Sequence, residues 1–187
     1  MEQAELPDVR FSEPEELVHG PVPMIPVLRW RRAADVGRPL VSAPEPAVVE
    51  EPYLPNRGVV HPEQLVDYRY VELLPQDLQD RIAEWEKNGD GLGYSAWSVV
   101  PGWKVGGFPS WRMSGPWTVN CSTCGTEMSL LFTIGHGEWD AAGLWWPVEE
   151  PADTADPLTG VFIGRGFDWY VFHCPASFDH PFSTAMQ

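Results

Sequence analysis

At 187 residues the chain is long enough to bury most of its apolar surface in one domain, and no apolar run reaches the ~18–20 residues of a membrane-spanning helix. Its formal net charge of −15 excludes the surface of Lys and Arg that displaces counterions from nucleic acid or docks on an anionic membrane. The three cysteines are an odd set, which favours free thiols or a metal over a disulfide framework.

Residues 1–20 are acidic and weakly periodic, and read as an irregular lead-in. Met1–Asp8 is acidic where a secretory leader is basic and then apolar, so a cytoplasmic location is expected. Met24–Trp30 reads as a strand. Residues 31–56, rich in Pro, Ala, Glu and Val, read as an extended loop with a short strand at Ala47–Val49. His61–Val66 is compatible with one helical turn. The clearest helix runs over Pro75–Lys87. Pro75 suits its first turn, Asp77 and Asp80 complement the positive end of its dipole, and Leu78, Ile82 and Trp85 share one face. Lys87 and Gly89 end it, and residues 88–93 form a glycine-rich connector.

Beyond the connector the pattern is β. Glu127–Ile134 is a strand between Gly125 and Gly135, and Leu144–Val148 reads as another. Gly160–Gly164 is short and apolar, and Gly164-Arg-Gly166 signals a turn into the strand Asp168–Cys174. Alternation there places Tyr170, Phe172 and Cys174 on one face, and Trp169, Val171 and His173 on the other. The expected class is therefore α+β, mainly antiparallel sheet with few helices. A likeness between 23–35 and 127–140 suggests a degenerate duplication of two β-rich halves, 21–100 and 101–187, within one domain spanning 1–187.

Charge and aromatics are unevenly spread. After Arg112 the only base is Arg165, set against Glu127, Glu138, Asp140, Glu149, Glu150, Asp153, Asp156, Asp168 and Asp179. Such a field steers basic partners toward the C-terminal half, although solubility alone also accounts for an acidic surface. Nine of the ten Trp lie at or after Trp85. Core packing explains most of them, yet Trp is enriched where interfaces concentrate their energy. Trp103, Lys104, Trp111, Trp139, Trp145 and Trp146 are the candidate interaction residues.

The chemistry-bearing pattern is Cys121-Ser-Thr-Cys124-Gly125 together with Cys174-Pro-Ala-Ser-Phe-Asp-His180. A Cys-x2-Cys-Gly turn aims two sulfurs inward, and a third thiolate with an imidazole completes a Cys3His set for a structural zinc. His173 competes for the fourth place. If Cys174 faces the metal, however, its strand neighbour faces away, which favours His180. Thiols that bind nothing and a redox dithiol are the alternatives.

No other pattern specifies a reaction. Gly-x-Ser-x-Gly is absent. Gly102–Gly107 lacks the Gly-Lys-Ser/Thr ending of a phosphate loop and reads as a sharp turn. His136-Gly-Glu138 lacks the downstream cysteine pair of zinc deaminases.

Gly102-Trp-Lys-Val-Gly-Gly-Phe-Pro-Ser-Trp111, Cys121-x2-Cys124-Gly-x2-Met128-x-Leu-Leu131 and Glu138-Trp-Asp140 together resemble the YwqG-like family of bacterial proteins of unknown function, in a form common in actinobacteria. Met24–Trp30, Val60–Glu63, Pro157–Gly164, Val171–Pro175 and Asp179–Pro181 extend the likeness over nearly the whole chain. One departure is that residues 39–57 hold no cysteine where the similar form carries first-half ligands.

The resemblance implies a duplicated α+β fold distantly similar to the eukaryotic programmed-cell-death-2 proteins. The roles it implies are protein binding, of the toxin-immunity or chaperone type, without catalysis. The leading expectation is accordingly a non-enzymatic domain that binds another, basic protein and carries one structural zinc. The rival is a metal-dependent hydrolase.

Overall fold

The computed structural model describes residues 61–89, 91–111, 115–139, 144–146 and 159–187, together with Ala34, Gly37, Pro55, Asn56, Gly58, Val59 and Pro151. The strands expected at Met24–Trp30 and Ala47–Val49, and most of the loop around them, lie outside the described residues. No helix among the described residues is long and apolar enough to cross a membrane.

A 3-10 turn, Val71–Leu73, leads into α1, Gln76–Lys87. Pro75 stands at the N-cap position, where a missing N–H costs nothing. Leu78 and Ile82 turn partly inward, but none of the helix is fully buried and Trp85 stays half exposed. The period is helical as expected, yet the helix packs mainly on the neighbouring 3-10 turn and buries no residue fully. The short helix α2, Tyr94–Ser98, follows the connector; no helical stripe fits in five residues, which is why the pattern does not announce it. The helical turn expected at His61–Val66 does not form: residues 61–70 run as irregular chain.

Four strands make one antiparallel sheet in sequential order: β1 Lys104–Val105, β2 Ser129–Ile134, β3 Trp169–His173 and β4 Ser183–Met186. The fold is thus α+β, mainly sheet, as the sequence indicates. All the strands among the described residues fall in the second half, and a duplication is not evident in them. β1 and β4 escape sequence reading because one is two residues long and the other, Ser-Thr-Ala-Met, is weakly apolar at a sheet edge. Leu144–Trp146, expected in a strand, form a turn instead; Pro147 and Val148 lie outside the described residues.

The register explains the core. Ser129 pairs with His173 and Ile134 with Trp169, with an irregularity between Leu130 and Phe132. One sheet face thereby gathers Leu130, Tyr170, Phe172 and Cys174 with Met128, Cys121 and Trp111 into a single buried cluster. The alternation read from β3 is the one observed. The Trp111 indole lies 5.3 Å from the Tyr170 ring and 6.3 Å from that of Phe172, centroid to centroid. Burying side chains of this size contributes on the order of 1.5–3 kcal/mol each.

A candidate metal centre and its surroundings

Antiparallel pairing of β2 with β3 brings the start of one strand beside the end of the other. The Cys121–Cys124 turn enters β2 and Cys174 leaves β3, so the topology alone delivers three thiols to one corner of the sheet. The turn is a tight hairpin. Asn120 bridges Glu127, the Cys121 N–H donates to the Thr126 carbonyl at 2.9 Å, and the Gly125 N–H donates back to the Cys121 carbonyl at 2.8 Å. Gly125 sits at φ 73°, a left-handed conformation that glycine adopts without strain. The segment between β3 and β4 folds back on Ser177, whose carbonyl accepts from the His180 N–H and whose Oγ accepts from the Asp179 N–H. That turn aims the His180 ring at the thiols.

One ligand atom from each of Cys121, Cys124, Cys174 and His180 lies within 4.8 Å of all the others. Cys124 Sγ stands 3.6 Å from Cys174 Sγ, and His180 Nδ1 stands 3.7 Å from Cys121 Sγ and 3.3 Å from Cys174 Sγ. A tetrahedral zinc with Zn–S of roughly 2.3 Å and Zn–N of roughly 2.0 Å sets thiolates roughly 3.8 Å apart, and thiolate from nitrogen roughly 3.5 Å. The observed spacings suit such an ion. His180, not His173, joins the set: His173 pairs in register with Ser129, and its ring stacks on Phe178.

The electrostatics of the thiols differ. The Thr126 hydroxyl, 3.3 Å away, and then the Thr126 backbone N–H stabilise the Cys124 thiolate, lowering its pKa to about 6. Burial pushes the Cys174 thiol up, partly opposed by the Ala176 and Ser177 N–H groups that donate to its sulfur. A cation placed among them would offset that burial cost, since metal binding requires the deprotonated ligand.

The other candidate residues are dispersed. Trp111 and Trp139 are buried. Trp103 keeps an exposed face while its indole N–H donates to the Gly135 carbonyl at 2.9 Å. Trp145 and Trp146 are half-buried; the Trp145 indole donates to the Ala96 carbonyl, and Trp146 packs on Trp139 at 4.0 Å.

Lys104 turns inward. Its Nζ donates to Asp67 Oδ2 at 2.8 Å and to the Val100 carbonyl at 2.7 Å, with the two paired side chains only 11% and 9% exposed. Burial pushes the Lys104 ammonium below its ordinary pKa, and Asp67 opposes that shift.

Two carboxylates that no sequence pattern marks are tied into the fold, one of them, Asp168, read from the sequence only as part of the acidic field. Asp67 also accepts from the N–H groups of Tyr68, Val100 and Phe108. Gly107, at φ 73°, lets the chain pass so close to that carboxylate that a Cβ would collide with it. Asp168 is fully buried, accepting from the His136 N–H at 3.0 Å and from Ser110 Oγ at 3.3 Å. Neither carries a sequence signal, because each serves backbone N–H groups far along the chain. A cavity of about 280 Å³ opens beside the core between Arg69, Phe108, Trp111, Trp117 and Glu127. The Arg69 guanidinium lies 5.4 Å from the Phe108 ring centroid and pairs with Glu127 at 3.4 Å.

Comparison with known proteins leaves the geometry to speak for itself: no protein-family model, no curated protein and no solved structure matches the chain.

Proposed function

We propose that this chain is a non-enzymatic protein-binding domain whose sheet is braced by one structural zinc held by Cys121, Cys124, Cys174 and His180. The convergence of four ligand atoms within 4.8 Å carries the metal part of this reading. Three thiolates and one imidazole are soft donors that suit zinc, and hard cations such as magnesium or calcium prefer oxygen. Four protein ligands fill a tetrahedron, which supports a structural role over the open position of a catalytic ion.

The protein-binding part rests on the charge of −15 and on aromatic surface left in water at Tyr68, Trp85, Trp97, Trp103 and Trp117. A basic partner in the cytoplasm suits that surface. The resemblance to YwqG-like proteins adds an immunity or chaperone role to the same proposal.

Cross-linking in native cells at physiological salt, followed by affinity capture, tests the partner. A basic protein recovered with the wild type and lost on raising the salt is expected. Recovery of nothing above an unrelated acidic control contradicts the reading.

A further inference from the structure

Away from the residues of the metal centre, Tyr68, Trp85, Tyr94, Trp97 and Ser98 line an open hollow of about 170 Å³. We infer that this hollow is an aromatic cage for the trimethylated side chain of a lysine in a basic segment of a partner protein, an inference that rests on the protein-binding reading above.

The walls come from three elements. Tyr68 lies on the irregular chain before the 3-10 turn, Trp85 on α1, and Tyr94 and Trp97 at the two ends of one turn of α2. One backbone bond and one side-chain bond link the segments: the Tyr68 N–H donates to the Ser98 carbonyl at 2.9 Å, and the Tyr94 N–H donates to the Glu86 side chain, at Oε1, at 2.7 Å. The Tyr94 ring is further fixed by its hydroxyl, and Tyr68, Trp85 and Trp97 keep 53%, 50% and 53% of their surface in water. Elsewhere among the described residues aromatic rings pack against one another, around Trp111 and between Trp139 and Trp146. Here they line an open hollow.

The lining selects the guest. It is almost wholly apolar, the Tyr94 hydroxyl is committed to the Arg69 carbonyl at 2.9 Å, and Ser98 Oγ has no accessible surface. A plain ammonium or a guanidinium would bring N–H donors that find no acceptor inside. A trimethylammonium has none to satisfy. It offers methyl groups to the walls and a diffuse positive charge to the ring faces, each good cation–π contact being worth about 0.5–2 kcal/mol.

The surroundings favour a cation on a peptide over a neutral side chain. No Lys or Arg lines the hollow, and α1 presents Asp77, Asp80, Glu84 and Glu86 against Arg81 and Lys87 on a chain of net charge −15. Glu84 and Glu86 flank Trp85 in the chain, and although Glu84 pairs with Lys87 and Glu86 accepts from the Tyr94 N–H, the net acidity of this helix and of the chain favours a basic peptide.

The test is calorimetric titration of the full, metal-loaded chain with short Gly/Ser/Lys peptides that differ only at one central position. That position carries trimethyllysine, unmodified lysine, or the neutral isostere with a tert-butyl carbon in place of the nitrogen. The trimethyl peptide is expected to bind at least about tenfold tighter than either of the others. Its binding should shift the indole N–H resonances of Trp85 and Trp97. Trp85→Ala and Trp97→Ala should each lose about tenfold with near-ultraviolet circular dichroism otherwise retained, and Trp85→Phe should lose less.

An isostere that matches the trimethyl peptide makes the hollow merely apolar and overturns the cage. So does choline that binds more tightly than the peptide, or the absence of peptide binding at millimolar concentration. Unmodified and trimethyl peptides that bind equally well overturn the cage while leaving protein binding intact. A native partner captured equally by wild type and Trp85→Ala does the same. Protein binding itself fails only on the cross-linking survey.

Discussion

Two corners of this molecule join distant segments by opposite means. At the end of β3, three sulfurs and an imidazole nitrogen converge within 4.8 Å of one another. At the start of β1, one carboxylate, Asp67, gathers three backbone N–H groups and the Lys104 ammonium. The second corner is complete as it stands, with its charges paired and its donors used. The first is arranged for a cation, because adjacent thiolates repel one another unless a metal lies between them. A polypeptide can tie its own loops with a buried carboxylate only where donors are at hand. Where sulfurs and an imidazole converge instead, the side chains are placed to hold a metal ion.

The sharpest way to separate the corners is to remove each tie. Chelation, or Cys174→Ser, should lower Tm by roughly 10 °C or more and broaden the backbone amide resonances of residues 119–128 and 174–182, while signals from α1 hold their positions. Thermal melts with and without chelator check this, and an unchanged Tm would make the thiol corner as self-sufficient as the other.

Asp67→Ala comes next in size. It removes the counterion of a buried ammonium and the acceptor of the Val100 and Phe108 N–H groups, and should cost about 3–5 kcal/mol in urea unfolding, independent of chelator. If chelator and Asp67→Ala prove strongly coupled, the two ties are not separate.

A glycine pair gives a finer comparison. Gly106 and Gly107 both lie at φ 73°, but only Gly107 faces the Asp67 carboxylate. Gly106→Ala should cost on the order of 1–2 kcal/mol from backbone strain alone, and Gly107→Ala measurably more. Equal losses would remove the close approach from the explanation.

The smallest effect is kinetic. In metal-free protein Cys124, exposed and with its pKa lowered to about 6, should alkylate fastest at pH 7, and its rate should fall as pH drops through that value and the thiolate is protonated. Cys174, buried and shifted upward, should react last. Mass spectrometry of timed iodoacetamide reactions reads the order. A Cys174 that reacts first would reverse the assignment of environments.

The contrast also shows what a sequence can reveal. The thiol corner was legible because its ligands are rare residues in two short segments, and strand alternation in β3 was enough to prefer His180 over His173. The helix at Gln76–Lys87 was legible from its period, but its half-exposed Trp85 was not: period places residues on a face and says nothing of what covers it. Asp67 and Asp168 were illegible among twenty-seven acidic residues, since what marks them is the backbone donors that tertiary folding brings to them. Lys104, read as a possible contact for a partner, has its charge answered inside the fold. β1 and β4 were missed because edge strands of two and four residues are defined by the neighbour they pair with.

The most direct test of the metal centre is native mass spectrometry of untagged protein purified under reducing conditions, followed by cobalt substitution. The expected result is one zinc per chain, absent from Cys121→Ser, and a cobalt form with the intense visible absorption of a tetrahedral thiolate site. A metal-free mass that stays so in excess zinc, with three freely alkylating thiols, would contradict the central claim.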